Sequence, residues 1–274
     1  MIAAGVLLLT VGLADLARQF LGDRSRGARI AASIVTVIVL SAVATSVVTL
    51  PLVAVVALVA LGWLALMPST NSAAIAGFWP AIGLAISVAL LVVFAPGAAE
   101  GWGAQWWGST TTGMSFPPAK LVLAAGVVAF LLESANIVVR VALQIERGDR
   151  ARTSVAAPSP TPVRRRGAGL LARLRRPVPV TPPAATKQLR GGRLIGPLER
   201  LFIVGLIFTS AVALVAAFIA AKGIVRFPEI QKDNAGGTQA EYFLVGSMAS
   251  WGIALLAAGL LWAVGATPRD FGIS

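Results

Sequence analysis

Residues 30–67 run for 38 positions without one charged side chain. As a single helix this run would extend about 57 Å at 1.5 Å per residue, nearly twice the hydrocarbon thickness of a bilayer. It is too long to cross a membrane once and too apolar for a water-soluble surface. Pro51 is the natural place for it to turn, which divides it into spans over 30–48 and 51–67. Each half is short for a crossing, so a re-entrant hairpin is the competing arrangement. Composition agrees: the 274 residues are 57% hydrophobic and 12% charged, against about 25% charged in a soluble domain. Five further apolar runs cover 2–20, 74–95, 119–143, 197–221 and 241–264. The expected fold is an all-α integral membrane protein with about seven transmembrane helices, or six if 30–67 is re-entrant. The first run has neither a basic leader nor a small-residue cleavage site and is read as a retained span.

Orientation follows from Lys and Arg. Residues 146–193 carry twelve of them against Glu146 and Asp149, a net +10 out of the chain's formal +12. Short loops this rich in cations stay in the cytoplasm. With seven spans the 22–29 loop, holding Arg24, Arg26 and Arg29, falls on the same side, so the two signals agree. Met1 is then expected outside and the C-terminal end, with Arg269, in the cytoplasm, in a multi-pass protein of the bacterial cytoplasmic membrane. Three parts result: a five-span bundle over 1–145, a basic linker over 146–193, and a C-terminal hairpin over 194–274. The linker is rich in Pro, Ala and Arg, and is expected to be disordered. Its "RRRGAGLLARLRR" segment fits an anionic leaflet, with Leu170, Leu171 and Leu174 dipping in. A protein-binding tail is the alternative. Nucleic acid fits poorly, because no aromatic residue interleaves with the arginines. The 96–118 loop, with Trp102, Trp106 and Trp107, reads as an interfacial belt, with a lid over a cavity as the sharper alternative.

The chain has no Cys and no His, which removes thiolate chemistry, the commonest metal ligand and the commonest general base. No D-x-x-D or D-x-x-x-D pair is present, so no metal and no cofactor is expected, and an enzymatic role ranks last. Ionisable residues inside spans are expensive and mark function or assembly. Glu133, Asn136 and Arg140 follow at i, i+3 and i+7 on one helical face. Glu133 is fourteen residues into its span, near mid-bilayer. Glu199 and Arg200 enter from the cytoplasm at the depth of Arg140, so Arg140 and Glu199 are expected to clamp the fifth and sixth spans together. A substrate or proton site around Glu133 is the other reading. Asp15 and Arg18, at i and i+3, read as a local pair.

The connection between the last two spans gathers Lys222, Arg226, Glu229, Glu241 and Tyr242. Thr238 and Glu241 are spaced as a capping box. Lys222 and Arg226 lie one turn apart, and their partners must be Glu229, Glu241 or an anion. Small residues recur every four positions in both flanking helices (Gly205, Thr209, Ala213, Ala217 and Ala221; Gly246, Ser250, Ala254 and Ala258), a pattern that lets helices approach closely in lipid. A tight antiparallel pair is expected.

The segments "GRLIGPLERLFIV", "AAKGIVRF" and "AEYFLVGSMAS" resemble the C-terminal signature of a family of uncharacterised bacterial polytopic membrane proteins over about residues 192–250. Gly223 departs from the usual Ser of that pattern. The resemblance picks out Glu199, Arg200, Lys222, Arg226, Glu229, Glu241 and Tyr242 and names no reaction. The leading expectation is a protein that binds or transports a small or lipid-like anionic substrate. The alternative is a structural or accessory subunit of a membrane complex, as a homo-oligomer or with another protein. A polar cavity among the last three spans favours the first; charges paired across helices favour the second.

Overall fold

The computed structural model describes residues 1–21, 25–67, 77–95, 100–104, 118–156, 192–209, 211–231 and 238–265, with backbone alone at 118, 146–156, 192–193, 212, 226–231 and 238–239. Every regular element among the described residues is a helix. Helices α1 (Ile2–Phe20), α2 (Arg26–Ala44), α3 (Leu50–Leu66) and α4 (Trp79–Phe94) are followed by α5 (Pro118–Ala129), a π turn (Phe130–Ser134) and α6 (Ala135–Ala156). Then come α7 (Gly192–Phe208), α8 (Val212–Gln231) and α9 (Thr238–Ala263). Four segments are long and apolar enough to cross a membrane: Ile2–Phe20, Arg26–Ala44, Ala119–Ile145 and Ala240–Ala263. Leu50–Leu66, Trp79–Phe94 and Ala213–Val225 are apolar but shorter.

The 30–67 run breaks where its proline predicts. α2 ends at Ala44, and α3 starts with Pro51 in its first turn, where the missing N–H has no partner to lose. The two helices pack against each other and against α1. α6 continues to Ala156, past the boundary expected at 145; the remainder of the basic linker, 157–191, lies outside the described residues. So do Trp106 and Trp107 of the 96–118 loop. Trp102 is exposed and donates from Nε1 to Thr45 Oγ1 at 3.2 Å.

α1 is the axis of the bundle, buried along nearly its whole length. It runs parallel to α5, with backbones in contact. A Cβ added at Gly5 would come within 2.7 Å of Leu123 Cα, and one at Gly12 would strike the Ala129 backbone. Gly126 meets the Gly5 carbonyl from the other side. α1 and α5 therefore begin at one end of the bundle, with Met1, and run toward the other, with Ile145. α9 runs the opposite way: Gly246 faces Leu143, and the Gly265 carbonyl accepts from Lys120 Nζ at 2.5 Å.

The expectation of one straight sixth span over 197–221 is corrected. The run folds back on itself. α7 enters from the Ile145 end, with Gly196 against Asn136, and stops at Phe208; α8 returns. Phe202 and Phe218 pack with ring centroids 5.1 Å apart. Glu199 meets Lys222. Ile203, Val215 and Ala254 form a small core beneath. The tight pairing of the last two helices is corrected with it. α9 buries its small-residue ridge, Ser250, Ala254 and Ala258, against α6 and α7. On the other helix a Cβ at Gly205 would meet nothing within 4 Å, and Ala213, Ala217 and Ala221 are exposed. The α1–α5 contact is the close one.

Candidate functional site

Two adjacent residue pairs organise the polar interior. Glu199 and Arg200 are consecutive on α7 and point to different neighbours. Arg200 is 2% exposed. Its Nε donates to Ser250 Oγ at 3.0 Å, Nη1 to the Leu131 carbonyl at 3.0 Å, and Nη2 to Asn136 Oδ1 at 2.9 Å. One planar guanidinium thus ties α7 to the π turn, α6 and α9, a use to which its fixed fork of donors is suited. The π turn widens the helical ladder, and its Leu131 carbonyl is one that Arg200 reaches.

Glu199 faces the other way. Lys222 Nζ sits 2.6 Å from both of its carboxylate oxygens, and Trp251 Nε1 donates to Oε1 at 2.8 Å. The ammonium also lies 5.4 Å from the Trp251 ring centroid and 5.8 Å from that of Phe243, within cation–π range. Thus α9 matches the Glu199–Arg200 step with its own consecutive pair, Trp251 for the acid and Ser250 for the base.

Glu133 and Ser134 repeat the device on the π turn. Glu133 is buried, accepts from Asn136 Nδ2 at 3.3 Å and pairs with Arg140 at 3.4 Å. Ser134 reaches across to α1, donating to Asp15 Oδ2 at 2.6 Å. The same carboxylate pairs with Arg18 and accepts from Trp63 Nε1 at 2.9 Å. Arg18 Nη1 goes on to the Leu64 and Met67 carbonyls at the end of α3, 3.3 Å each.

The structure brings Glu133, Asn136, Arg140 and Arg200 together, and places Glu199 with Lys222. The expected Arg140–Glu199 clamp is corrected: Arg140 turns to Glu133, and Glu199 to Lys222 and Trp251. The partners expected for Lys222, namely Glu229, Glu241 or an anion, are corrected as well, because the folded-back helix carries it to Glu199. Glu241 is exposed and Tyr242 half-buried in the first turns of α9. The side chains of Arg226 and Glu229 lie outside the described residues. Asp15 and Arg18 are more than a local pair. Trp63, Ser134, Phe243 and Trp251 were not singled out from the sequence, and Ser250 only as a member of the small-residue ridge. Trp63 and Trp251 did carry a signal: each sits deep in an apolar helix, where an indole N–H must find an acceptor.

A shallow opening of about 10 Å³ lies at the Met1 end, lined among others by Ile2, Val47, Leu52 and Glu100, and does not involve this cluster. Among the described residues no group of acidic side chains could hold a metal ion. No protein-family model, curated protein or solved structure matches the chain.

Proposed function

We propose that this chain is a non-catalytic membrane component, a structural or accessory subunit, in which the charges inside the membrane hold a re-entrant hairpin to a helical bundle. One observation carries this reading: the buried acids spend themselves on neighbours in the fold, Asp15 on Arg18, Glu133 on Arg140 and Glu199 on Lys222. A clasp of this kind fixes position; a transport site leaves a group to be met by its cargo.

The chain then crosses the membrane six times, with α7 and α8 entering and leaving by one face. The basic 146–193 linker lies in the cytoplasm of a bacterial cell, where its arginines meet anionic lipid. Met1 and Gly265 both lie outside, since an even number of crossings returns the chain to its starting side. The resemblance over residues 192–250 fits a unit made of the hairpin and α9.

The binding and transport of a small or lipid-like anionic substrate stays as a second reading. It is favoured by the π turn, whose Leu131 carbonyl accepts from Arg200, and by the break between α7 and α8, since irregular backbone at depth tends to line a site. Because the chain has no Cys, single thiols at Asn136 and at Ala254 separate the two. Under the assembly role, membrane-impermeant maleimide labels neither position from either side. Labelling of Asn136 from one side reveals a water path to the cluster and carries the transport reading instead.

A further inference from the structure

We propose that Glu199, Phe243 and Trp251 form a binding site for a primary alkylammonium group, which Lys222 fills from within the chain as a displaceable occupant. The inference goes beyond the assembly role: it adds a ligand at one of the three ion pairs on which that role rests, and leaves the Asp15–Arg18 and Glu133–Arg140 pairs as they are. Three of the four parts come from α7 and α9, which pack along each other. The carboxylate is 6% exposed and is held by the Trp251 indole at 2.8 Å. Two aromatic rings, 5.4 and 5.8 Å away, present their π systems to the same point. An acid with aromatic walls is the arrangement that recognises ammonium ligands, and here it is built by helices other than the one that supplies the cation.

The occupant comes from the least anchored helix. Along α8 only Val215 counts among the buried hydrophobic residues described, and Leu214, Ile224 and Val225 are exposed. The Lys222 side chain is 26% exposed, so the residue lies at the edge of the packed helices and not in their interior. Four rotatable methylene links let it leave without moving a backbone. Its departure would leave a buried carboxylate without a counter-charge, which is strongly unfavourable. Another cation, or a proton, must then take its place. The 2.6 Å approach of Nζ to both oxygens sets the class: an N–H donor can come that close, and a quaternary ammonium with its methyl groups cannot. The group is the head of an aminoethyl lipid or a free primary amine.

The test uses the full chain in detergent and in nanodiscs. Lys222→Ala empties the site. Its thermal midpoint is expected to fall below that of the wild type, and ethanolammonium chloride is expected to restore at least half of the loss, saturably. Tetramethylammonium and sodium at the same ionic strength restore nothing. Adding Glu199→Gln to Lys222→Ala abolishes the response. Nanodiscs separate the sources. Recovery in phosphatidylethanolamine but not in phosphatidylglycerol identifies a lipid headgroup, whereas recovery by free ethanolammonium alone identifies a soluble amine. Equal responses to ethanolammonium, tetramethylammonium and sodium overturn the proposal and leave Lys222 a clasp. If Lys222→Ala does not accumulate, native mass spectrometry of the wild type decides. Preferential retention of phosphatidylethanolamine over phosphatidylglycerol, lost in Trp251→Phe, upholds the site. No preference overturns it.

Discussion

At the residue scale Arg200 stands apart because three elements meet on one side chain. Arg200→Ala strands a carbonyl, an amide and a hydroxyl on three different helical segments. The expected loss is on the order of 3 kcal/mol, from charged donors worth about 1.5–3 kcal/mol each offset by partial relaxation. Arg200→Lys should recover little, since an ammonium cannot fork to acceptors on the π turn, α6 and α9 together. Ser250→Ala removes one of the three bonds and should cost about 0.6 kcal/mol, the average for an interhelical bond in lipid. Thermal unfolding in detergent orders the three, and a Ser250→Ala loss equal to that of Arg200→Ala would contradict the fork. A double-mutant cycle tests the partner assignment of Glu199. Glu199→Gln with Lys222→Gln should show coupling of about 1 kcal/mol or more, while Glu199→Gln with Arg140→Gln should be additive within about 0.5 kcal/mol. The reverse pattern would restore the clamp expected from depth alone.

At the scale of elements, the tightest contact joins α1 to α5 through Gly5, Gly12 and Gly126. In lipid there is no hydrophobic drive to bring two helices together, so close backbone packing has to supply the attraction. Gly12→Val pushes a branched side chain into the Ala129 backbone. It should cost at least the upper end of the usual overpacking penalty, about 3 kcal/mol. Gly205→Ala, with open space around it, should be neutral or stabilise α7 by up to about 1 kcal/mol through its better helix propensity. The yield of monodisperse protein after solubilisation reads both. The same spacing of small residues thus has opposite consequences in two places. In α9 it faces α6 and α7 and is buried; in the sixth apolar run it is mostly exposed. Periodicity identified the ridge in each case but did not say which neighbour, if any, it would meet.

At the scale of the molecule, the proposal of six crossings rests on the fold-back between α7 and α8 and sets the face on which each later residue should emerge. A reporter active only outside the cytoplasm should be silent when fused at Pro160 and active when fused after Gly265. Seven crossings would give silence at both positions, so activity at the second site distinguishes the two arrangements.

Much was legible in the sequence because it rests on local chemistry. The absence of charge over 30–67, with Pro51 inside it, requires two helices. The lack of Cys and His excludes whole classes of catalysis. The spacing of Glu133, Asn136 and Arg140 places them on one face, and they do hydrogen-bond to one another. α9 starts at Thr238, with Glu241 in its first turn, where a Thr and a Glu three apart mark the beginning of a helix in the sequence. Only the tertiary structure decided the rest. An apolar run of 25 residues satisfies the bilayer equally well as one crossing or as two arms of a hairpin, because both bury the same side chains in lipid. What separates them is whether Glu199 and Lys222, 23 residues apart, meet. That meeting depends on α9 supplying Trp251 and Ser250 at the right height. No local pattern encodes the pairing, since a buried charge selects its partner by distance across helices and not by distance along the chain.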